Sequence, residues 1–251
     1  MNKQSIRILT YNIHKGFDIY NRDFVLHKIR ERLHSIDVDV IFLQEILGQH
    51  RQHEVSIKDW PQASQFEYLA DQIWPHYAYG KNAIYEKGHH GNAILSKFSI
   101  QQWQNINVSR FQRASRSLLH GVIHFPDVDS PLHLICVHLE LVDFERQRQL
   151  AVLIRYINES IPAEEPIIVA GDFNDWSGRS GVRLESELKM KEVFRVKHGK
   201  HARTFPSSLP VLKMDRIYYR GLNALECECF NKPPWKSLSD HSPLYAKFDI
   251  Q

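Results

Sequence analysis

The stretch Pro166-Ile167-Ile168-Val169-Ala170-Gly171-Asp172-Phe173-Asn174 indicates the fold more clearly than any other part of the chain. Its apolar run is short and lies between Pro166 and Gly171, which predicts a strand buried on both faces. Polar residues follow at once, and Asp172 and Asn174 are two residues apart, so both side chains could project the same way. Strand ends of this kind are where α/β proteins place ligand sites.

Polar residues border four other predicted strands in the same manner. Asn12 and His138 close apolar runs, Gln44-Glu45 ends the run at Leu43, and Ser239-Asp240-His241-Ser242 precedes the last strand. Asn12 follows Ile6, Ile8 and Thr10 at period two and lies on the same strand face as that row. A carboxylate such as Glu45 needs a partner or a metal when buried. Each feature alone is typical of a turn former, a cap or a structural histidine. Their joint occurrence indicates a site.

Strand and helix patterns alternate from end to end, without repeats, low-complexity segments or linkers. Apolar residues at helical spacing predict helices over 25–36, 62–74 and 150–157. Short apolar or alternating runs predict strands at 6–13, 38–43, near 78 and 84, and at 92–96, 100–108, 118–125, 132–138, 166–171, 217, 225 and 246. The pattern predicts a two-sheet α/β sandwich in one domain over residues 1–251.

The charge balance permits several phosphate-bearing partners. The 251 residues carry a formal net charge of +3, below the bias typical of a dedicated duplex-DNA binder. We identify Arg110, Arg113 and Arg116, beside Lys97, as the densest basic cluster and expect no longer basic run. The cluster either meets an anionic substrate or is a solvated loop. Nucleic acid, a lipid head group and a small phosphate ester all remain open.

Cysteine usage and the termini point to an intracellular chain. Cys136, Cys227 and Cys229 are an odd number without framework spacing, which argues against a disulfide scaffold. Cys227 and Cys229 would share a strand face and could bind metal, but we expect ordinary thiols. Neither a secretory signal nor an apolar run long enough for a transmembrane helix is found, so we expect a cytoplasmic location. We also expect a monomer.

Seven segments together resemble the endonuclease/exonuclease/phosphatase superfamily, which includes DNase I. They occur in the family's order, from residue 5 to residue 248. The resemblance implies an α/β fold, the DNase I-like four-layer sandwich of two packed mixed β-sheets flanked by helices. The segments are Thr10-Tyr11-Asn12, Leu43-Gln44-Glu45, Gly91-Asn92-Ala93-Ile94-Leu95-Ser96, Val137-His138-Leu139, Gly171-Asp172-Phe173-Asn174, Met214-Asp215-Arg216-Ile217 and Ser239-Asp240-His241.

The resemblance also implies a metal and phosphate shell. Glu45 is similar to the principal ligand of a divalent metal, Mg²⁺ or Mn²⁺, for which hard oxygen donors are suited. Asn12 would lie beside it and contact the metal or the phosphate, and Asp240 is a second candidate ligand. Asn92 and Arg116 resemble residues that contact the phosphate.

Catalytic roles are implied for five further residues. Asp172 would orient or deprotonate the attacking water, with Asn174 holding the phosphate or Asp172. Asp215 would fix the tautomer of His241, which donates to a phosphoryl oxygen. His138 would contact the phosphate or assist the leaving oxygen.

The resulting hypothesis is a metal-dependent hydrolase of phosphate esters, foremost a phosphodiesterase. Four alternatives stay open: a nuclease, a phospholipid or sphingolipid phosphodiesterase, a small-molecule phosphomonoesterase, and a catalytically inactive binding module. Trp176, Phe205 and Trp235 would form aromatic walls for a base or an acyl chain, or pack in the core or at the rim.

Overall fold

A computed structural model of the protein describes residues 4–109, 116–126 and 128–250, so Arg110 and Arg113 of the basic cluster lie outside it. Twelve strands of these ranges form two six-stranded sheets. The strands are β1 (Gln4–Asn12), β2 (Val40–His50), β3 (His76–Tyr85), β4 (Gly88–Ser96), β5 (Ile100–Asn107), β6 (Ser117–Phe125), β7 (Val128–His138), β8 (Ile167–Asp172), β9 (Lys191–Glu192), β10 (Asp215–Arg220), β11 (Asn223–Cys229) and β12 (Leu244–Ile250).

Both sheets are mixed. The first has the order β11-β12-β1-β2-β4-β3 and the second the order β5-β6-β7-β8-β10-β9. The pairs β1–β2 and β7–β8 are parallel, and their neighbours are antiparallel. The carboxyl ends of β1, β2, β7 and β8 therefore lie at corresponding edges of the two sheets.

Helices flank the two sheets. They are α1 (Leu26–His34), α2 (Arg51–Ser56), α3 (Gln65–Ala70), α4 (Asp143–Ser160), α5 (Arg179–Leu188) and α6 (Val193–His198). The predicted helix over 62–74 is shorter in the structure, because Ser64 and Glu67 form a capping box that starts α3 and the backbone leaves the helical region at Asp71. Within the described ranges, no helix combines the length and the apolar character needed to cross a membrane.

The core has three parts, which makes the fold a four-layer sandwich. Ile8, Phe42 and Ala170 belong to the cluster between the sheets. A second cluster packs α1 and α3 on the first sheet, and a third packs α4 and α5 on the second sheet. The predicted DNase I-like sandwich is confirmed. All three cysteines are free thiols, as expected.

The strand β2 corrects one prediction. It does not end at Gln44-Glu45 but continues to His50. Its register against β4 shifts between Leu43 and Ile46, so that Gln44 and Glu45 together oppose Asn92. Glu45 has a φ of 56°, which is unusual for a residue other than glycine and is a feature of bulges and functional sites. A bulge, not a strand end, sets the direction of the Glu45 side chain.

Candidate active site

Strand register brings the polar strand ends together. His138, the last residue of β7, pairs with Asp172, the last residue of β8. On the other side of β8, Asp172 pairs with Asp215, the first residue of β10. In the other sheet, Asn12 at the end of β1 pairs with Gln44. Asn12 continues the inward row of its strand, as predicted, so its side chain reaches across to the second sheet.

Asp172 is buried at the centre of this arrangement. Its Oδ1 accepts a hydrogen bond from the backbone N–H of Asn174 at 2.9 Å, and its Oδ2 accepts from Asn12 Nδ2 at 3.2 Å. Asn174 has a positive φ, and its side-chain amide donates to the Leu139 carbonyl at 2.8 Å. Burial raises the pKa of Asp172 to about 6, with Asp215 acting in the same direction and His241 opposing it.

Two histidines face the same oxygen of Asp172 without bonding to it. His138 Nε2 lies 3.6 Å from Oδ2 and His241 Nε2 lies 3.8 Å from it. Both distances exceed a normal hydrogen bond. The Oδ2 atom and the two ring nitrogens therefore border a space in which a small oxygen ligand can be held.

His241 is held as a cation by its surroundings. Its Nδ1–H donates to Asp215 Oδ2 at 2.8 Å. Burial works against the protonated form, but the carboxylates of Asp215 and Asp172 outweigh it and raise the pKa of His241 to about 10. Thr204 Oγ1 accepts from the Asp215 backbone N–H at 3.3 Å, and Ser239 Oγ donates to the Asn12 carbonyl at 2.7 Å. The first contact fixes the start of β10 against Thr204, and the second fixes the segment that carries His241 against the end of β1.

His138 is held neutral instead. Burial and the Arg116 charge lower its pKa well below the usual value. Arg116 Nη1 lies 3.2 Å from His138 Nδ1. Because a guanidinium can only donate, Nδ1 must accept and the ring proton is on Nε2, directed at Asp172. Glu140 accepts from Arg116 Nε at 3.1 Å and holds the guanidinium in place.

Glu45 fits a divalent cation. Burial disfavours its ionised form, but the positive charges of Lys15 and His241 favour that form, and the pKa of Glu45 is lowered. Its Oε2 is shielded from solvent and has no well-aligned hydrogen bond, although Lys15 Nζ lies 3.2 Å away. An ionised oxygen left in this condition is a suitable donor for Mg²⁺ or Mn²⁺.

A second candidate for a metal lies at His241 and the two aspartates beside it. Asp172, Asp215 and His241 each place one ligand atom within 4.8 Å of the others. However, Nδ1 of His241 is already bonded to Asp215, and a doubly protonated ring has no lone pair for a metal. We therefore interpret this trio as a proton-holding network and Glu45 as the anchor for a cation. Asp240 lines the same cleft, with Oδ1 accepting from Ser239 Oγ at 3.3 Å.

These residues open onto a cleft of about 490 Å³ with two unlike sides. The polar side carries seven predicted site residues: Glu45, Arg116, His138, Asp172, Asn174, Asp240 and His241. The apolar side is formed by Leu141, Trp176, Phe205, Leu212 and Met214. Of the three predicted aromatic walls, Trp235 is excluded, because it is buried in the core beside Tyr11.

Three predicted residues do not line the cleft: Asn12 and Asp215 lie behind it, bonded to Asp172 and His241, and Asn92 lies apart from both. It is fully buried opposite the β2 bulge, and its Nδ2 donates to the Ser117 carbonyl at 3.0 Å, which ties the two sheets together. Lys15 is absent from the predicted site residues, yet it reaches Glu45 from a short 3-10 turn at His14–Gly16. Its position between His14 and Gly16, directly after a strand-end asparagine, was the available signal.

The sequence relatives of this chain are bacterial proteins. The profile of the Endonuclease/Exonuclease/phosphatase family matches residues 9–241, a range that contains every cleft residue named above. The "Uncharacterized protein YbhP" of Escherichia coli strain K12 is 41% identical over 246 residues, covering 98% of this chain and 97% of that protein.

Solved structures share the fold at low identity. A family protein from Leptotrichia buccalis gives a TM-score of 0.76 at 17% identity, covering 98% of this chain and 100% of that chain. A D. rerio TDP2 structure complexed with single-strand DNA product gives a TM-score of 0.73 at 19% identity, with the same two coverages.

Proposed function

Because the chain belongs to the Endonuclease/Exonuclease/phosphatase family, we propose that it is a metal-dependent phosphodiesterase that uses a water activated by Asp172. The observation that carries the proposal is the set of groups around Asp172 Oδ2. One buried carboxylate oxygen faces a neutral histidine, a cationic histidine and an amide, each in a defined orientation. Phosphoryl transfer depends mostly on such positioning and on charge neutralisation.

Asp172 orients the water and accepts its proton. The Asn174 N–H occupies Oδ1, so Oδ2 is the oxygen directed at the cleft. A pKa of about 6 leaves Asp172 ionised at neutral pH and close enough to the working pH to act as a general base. Asn12 holds the same oxygen in position through its amide.

His241, His138 and Arg116 bind the phosphoryl oxygens. The His241 cation, oriented by Asp215, donates from Nε2 where negative charge builds up. Neutral His138 donates a hydrogen bond from Nε2 to a phosphoryl oxygen on the neighbouring side and keeps its single ring proton. Arg116, whose guanidinium lines the cleft, compensates one further negative charge.

Glu45, with Asn12 and Asp240, would hold the Mg²⁺ or Mn²⁺ ion. This donor set contains only oxygen ligands, as these hard cations prefer. When bound, the ion polarises a phosphoryl oxygen and offsets the charge of the leaving group. Lys15 supplies positive charge beside Glu45 and is exposed enough to move.

The two-sided cleft favours a diester over a monoester. A monoester carries its charge on three terminal oxygens, and an apolar wall satisfies none of them. A diester presents a second esterified group that has no charge of its own. Leu141, Trp176 and Phe205 can cover that group while the polar side holds the phosphate.

The test is hydrolysis of bis(p-nitrophenyl) phosphate and of its monoester analogue, with Mg²⁺, Mn²⁺ or EDTA. Wild-type protein is compared with Asp172→Asn, which keeps the shape of the side chain but removes the base. As a matched control we choose Asp129→Asn, an exposed carboxylate at the far end of β7. Metal-dependent cleavage of the diester should fall on the order of 10³-fold in Asp172→Asn and be retained in the control.

Three outcomes would contradict the proposal. Cleavage that persists in EDTA would contradict the metal dependence. Faster cleavage of the monoester would contradict the assignment as a phosphodiesterase. Full activity of Asp172→Asn would show that Asp172 is not the general base. Far-UV circular dichroism and melting temperature of each variant separate a loss of activity from a loss of fold.

A further inference from the structure

Large apolar side chains are exposed on the loops that border the cleft. They lie on three segments: the loop from β7 into α4, the loop after β8, and the hairpin between Phe205 and Leu212. The exposed fraction of each of these residues is 48–72%. We call this set the apolar rim, and its members are Leu141, Val142, Phe144, Trp176, Leu209 and Val211.

Contacts join the first two segments, and the hairpin lines the same cleft as both of them through Phe205 and Leu212. Arg146, buried in α4, donates to the Leu141 carbonyl at 2.7 Å and places its guanidinium 5.0 Å from the Trp176 ring centroid. Arg179 Nη1 lies 3.1 Å from Asp143 Oδ2, which joins the loop after β8 to the start of α4. Apolar groups held in fixed positions at a cleft mouth mark an interaction site rather than chance exposure.

A basic segment continues this surface. The stretch Arg195–Arg203, with the sequence RVKHGKHAR, contains four Lys or Arg residues and two histidines. The expectation of no longer basic run was therefore wrong. Lys200, Arg203 and Lys213 line a depression of about 470 Å³ that shares the Phe205–Leu212 hairpin with the cleft. On its other side the segment approaches the loop after β8, since a Cβ added to Gly178 would lie 3.9 Å from His201 Nε2.

We propose that the apolar rim and this basic segment dock the protein on an anionic phospholipid bilayer. The cleft would then open onto the head groups, and a membrane-borne phosphodiester would be the substrate class, a step that rests on the proposed function. Lysine and arginine are attracted to anionic head groups, and aliphatic side chains insert between them. The combination of both features on one side of the cleft fits such a surface.

Nucleic acid fits the same surface less well. Strand binding uses basic residues along the backbone and aromatic rings on which bases stack. The rim contains two aromatic side chains, Phe144 and Trp176, but its other four members are aliphatic. Leu209 and Val211, on the hairpin, have no aromatic ring on which a base can stack. Their binding would be favoured only by the removal of apolar surface from water.

The test is co-sedimentation with vesicles, made in EDTA so that binding is independent of hydrolysis. Vesicles of equal phosphatidylglycerol and phosphatidylcholine are compared with phosphatidylcholine alone. The apolar variant is Leu209→Ser/Val211→Ser and the charge variant is Lys200→Glu/Arg203→Glu. The matched control is Val55→Ser/Ile84→Ser, two exposed aliphatic residues on α2 and β3.

Wild-type protein should bind the anionic vesicles, with affinity that falls as salt rises, and should not bind phosphatidylcholine alone. The apolar and charge variants should each lose at least about tenfold in affinity, and the control should bind like wild type. Melting temperatures verify that all variants are folded.

Each remaining outcome overturns the docking proposal. Wild-type protein that stays in the supernatant with anionic vesicles overturns it, and so does an apolar variant that binds as well as the control. Tighter binding to a DNA oligonucleotide than to anionic vesicles would assign the surface to nucleic acid. Diester hydrolysis measured in parallel keeps the two proposals apart: intact hydrolysis without vesicle binding refutes docking alone, and vesicle binding without hydrolysis refutes the phosphodiesterase alone.

Discussion

Replacing Asp215 by Asn tests how the site holds its cationic histidine. Asp215 Oδ2 accepts from His241 Nδ1 at 2.8 Å, and both side chains are buried. The substitution keeps the size of the side chain and removes its charge. His241 then has Asp172 as its nearest carboxylate, at 3.8 Å, against the same cost of burial.

The expected effect has two parts. Without the Asp215 charge, Asp172 is left as the main carboxylate that opposes the effect of burial, so the pKa of His241 falls from about 10. Above the lowered pKa the ring is neutral, and the phosphoryl oxygen loses a charged donor. Loss of one preorganised donor reduces kcat on the order of 10²–10³-fold. The deficit should narrow towards pH 6, where the variant ring regains its proton.

The assay is the pH profile of kcat and kcat/KM for diester hydrolysis, from pH 5.5 to about 10 at constant ionic strength. In wild-type protein, kcat/KM should rise as Asp172 loses its proton near pH 6 and fall as His241 loses its proton near pH 10. The alkaline limb of Asp215→Asn should move to lower pH, and that of Asp129→Asn should stay in place. A deficit that is constant across the pH range would refute the electrostatic argument, because it would show that Asp215 acts by geometry alone.

Three further predictions concern the metal, the backbone and stability. Glu45→Gln should weaken binding of Mn²⁺ by about tenfold or more in isothermal titration calorimetry, and unchanged affinity would remove Glu45 as the anchor. Gly171→Ala should destabilise the fold by on the order of 3 kcal/mol in urea unfolding, because the new Cβ would lie 2.0 Å from the Val137 carbonyl oxygen; unfolding like wild type would contradict this. Burial and His133 lower the pKa of His120 from 6.5 to about 4, so the folded state binds fewer protons than the unfolded chain between these values. The contribution of His120 to the free energy of unfolding should therefore be fully present above pH 6.5 and fall by up to about 3 kcal/mol towards pH 4. In thermal melts, His120→Asn should lack this part of the loss.

The order of strands and the polar residues at their ends could be predicted from local patterns. Apolar period and turn residues depend on near neighbours in sequence, so they identified β8, β1 and a two-sheet α/β sandwich, and the resemblance to the family implied its four layers. Asp172, His138 and Asn12 were recognisable because a polar residue that ends an apolar strand stands out against its neighbours. The helices α2, α5 and α6 were not predicted; α2 and α6 have six residues each, too few turns to show a helical period.

Other features depend on residues that are far apart in sequence. The bulge that directs Glu45 arises from pairing between β2 and β4, and no glycine marks its positive φ. Arg116 and His138 meet across 22 residues, and only their contact determines the tautomer of the ring. Asn92 and Trp235 had a suitable chemistry in sequence, but packing assigned them to the interior.

Sequence alone determined the fold class, the family and the chemical types available to a site, because these follow from local pattern and residue identity. Tertiary structure decided which groups are charged and which surface surrounds the cleft. The pKa of Asp172 and the pKa of His241 depend on burial and on charges from other strands. The apolar rim and the basic segment become one surface only where distant loops meet, since exposure and contact are properties of the folded chain.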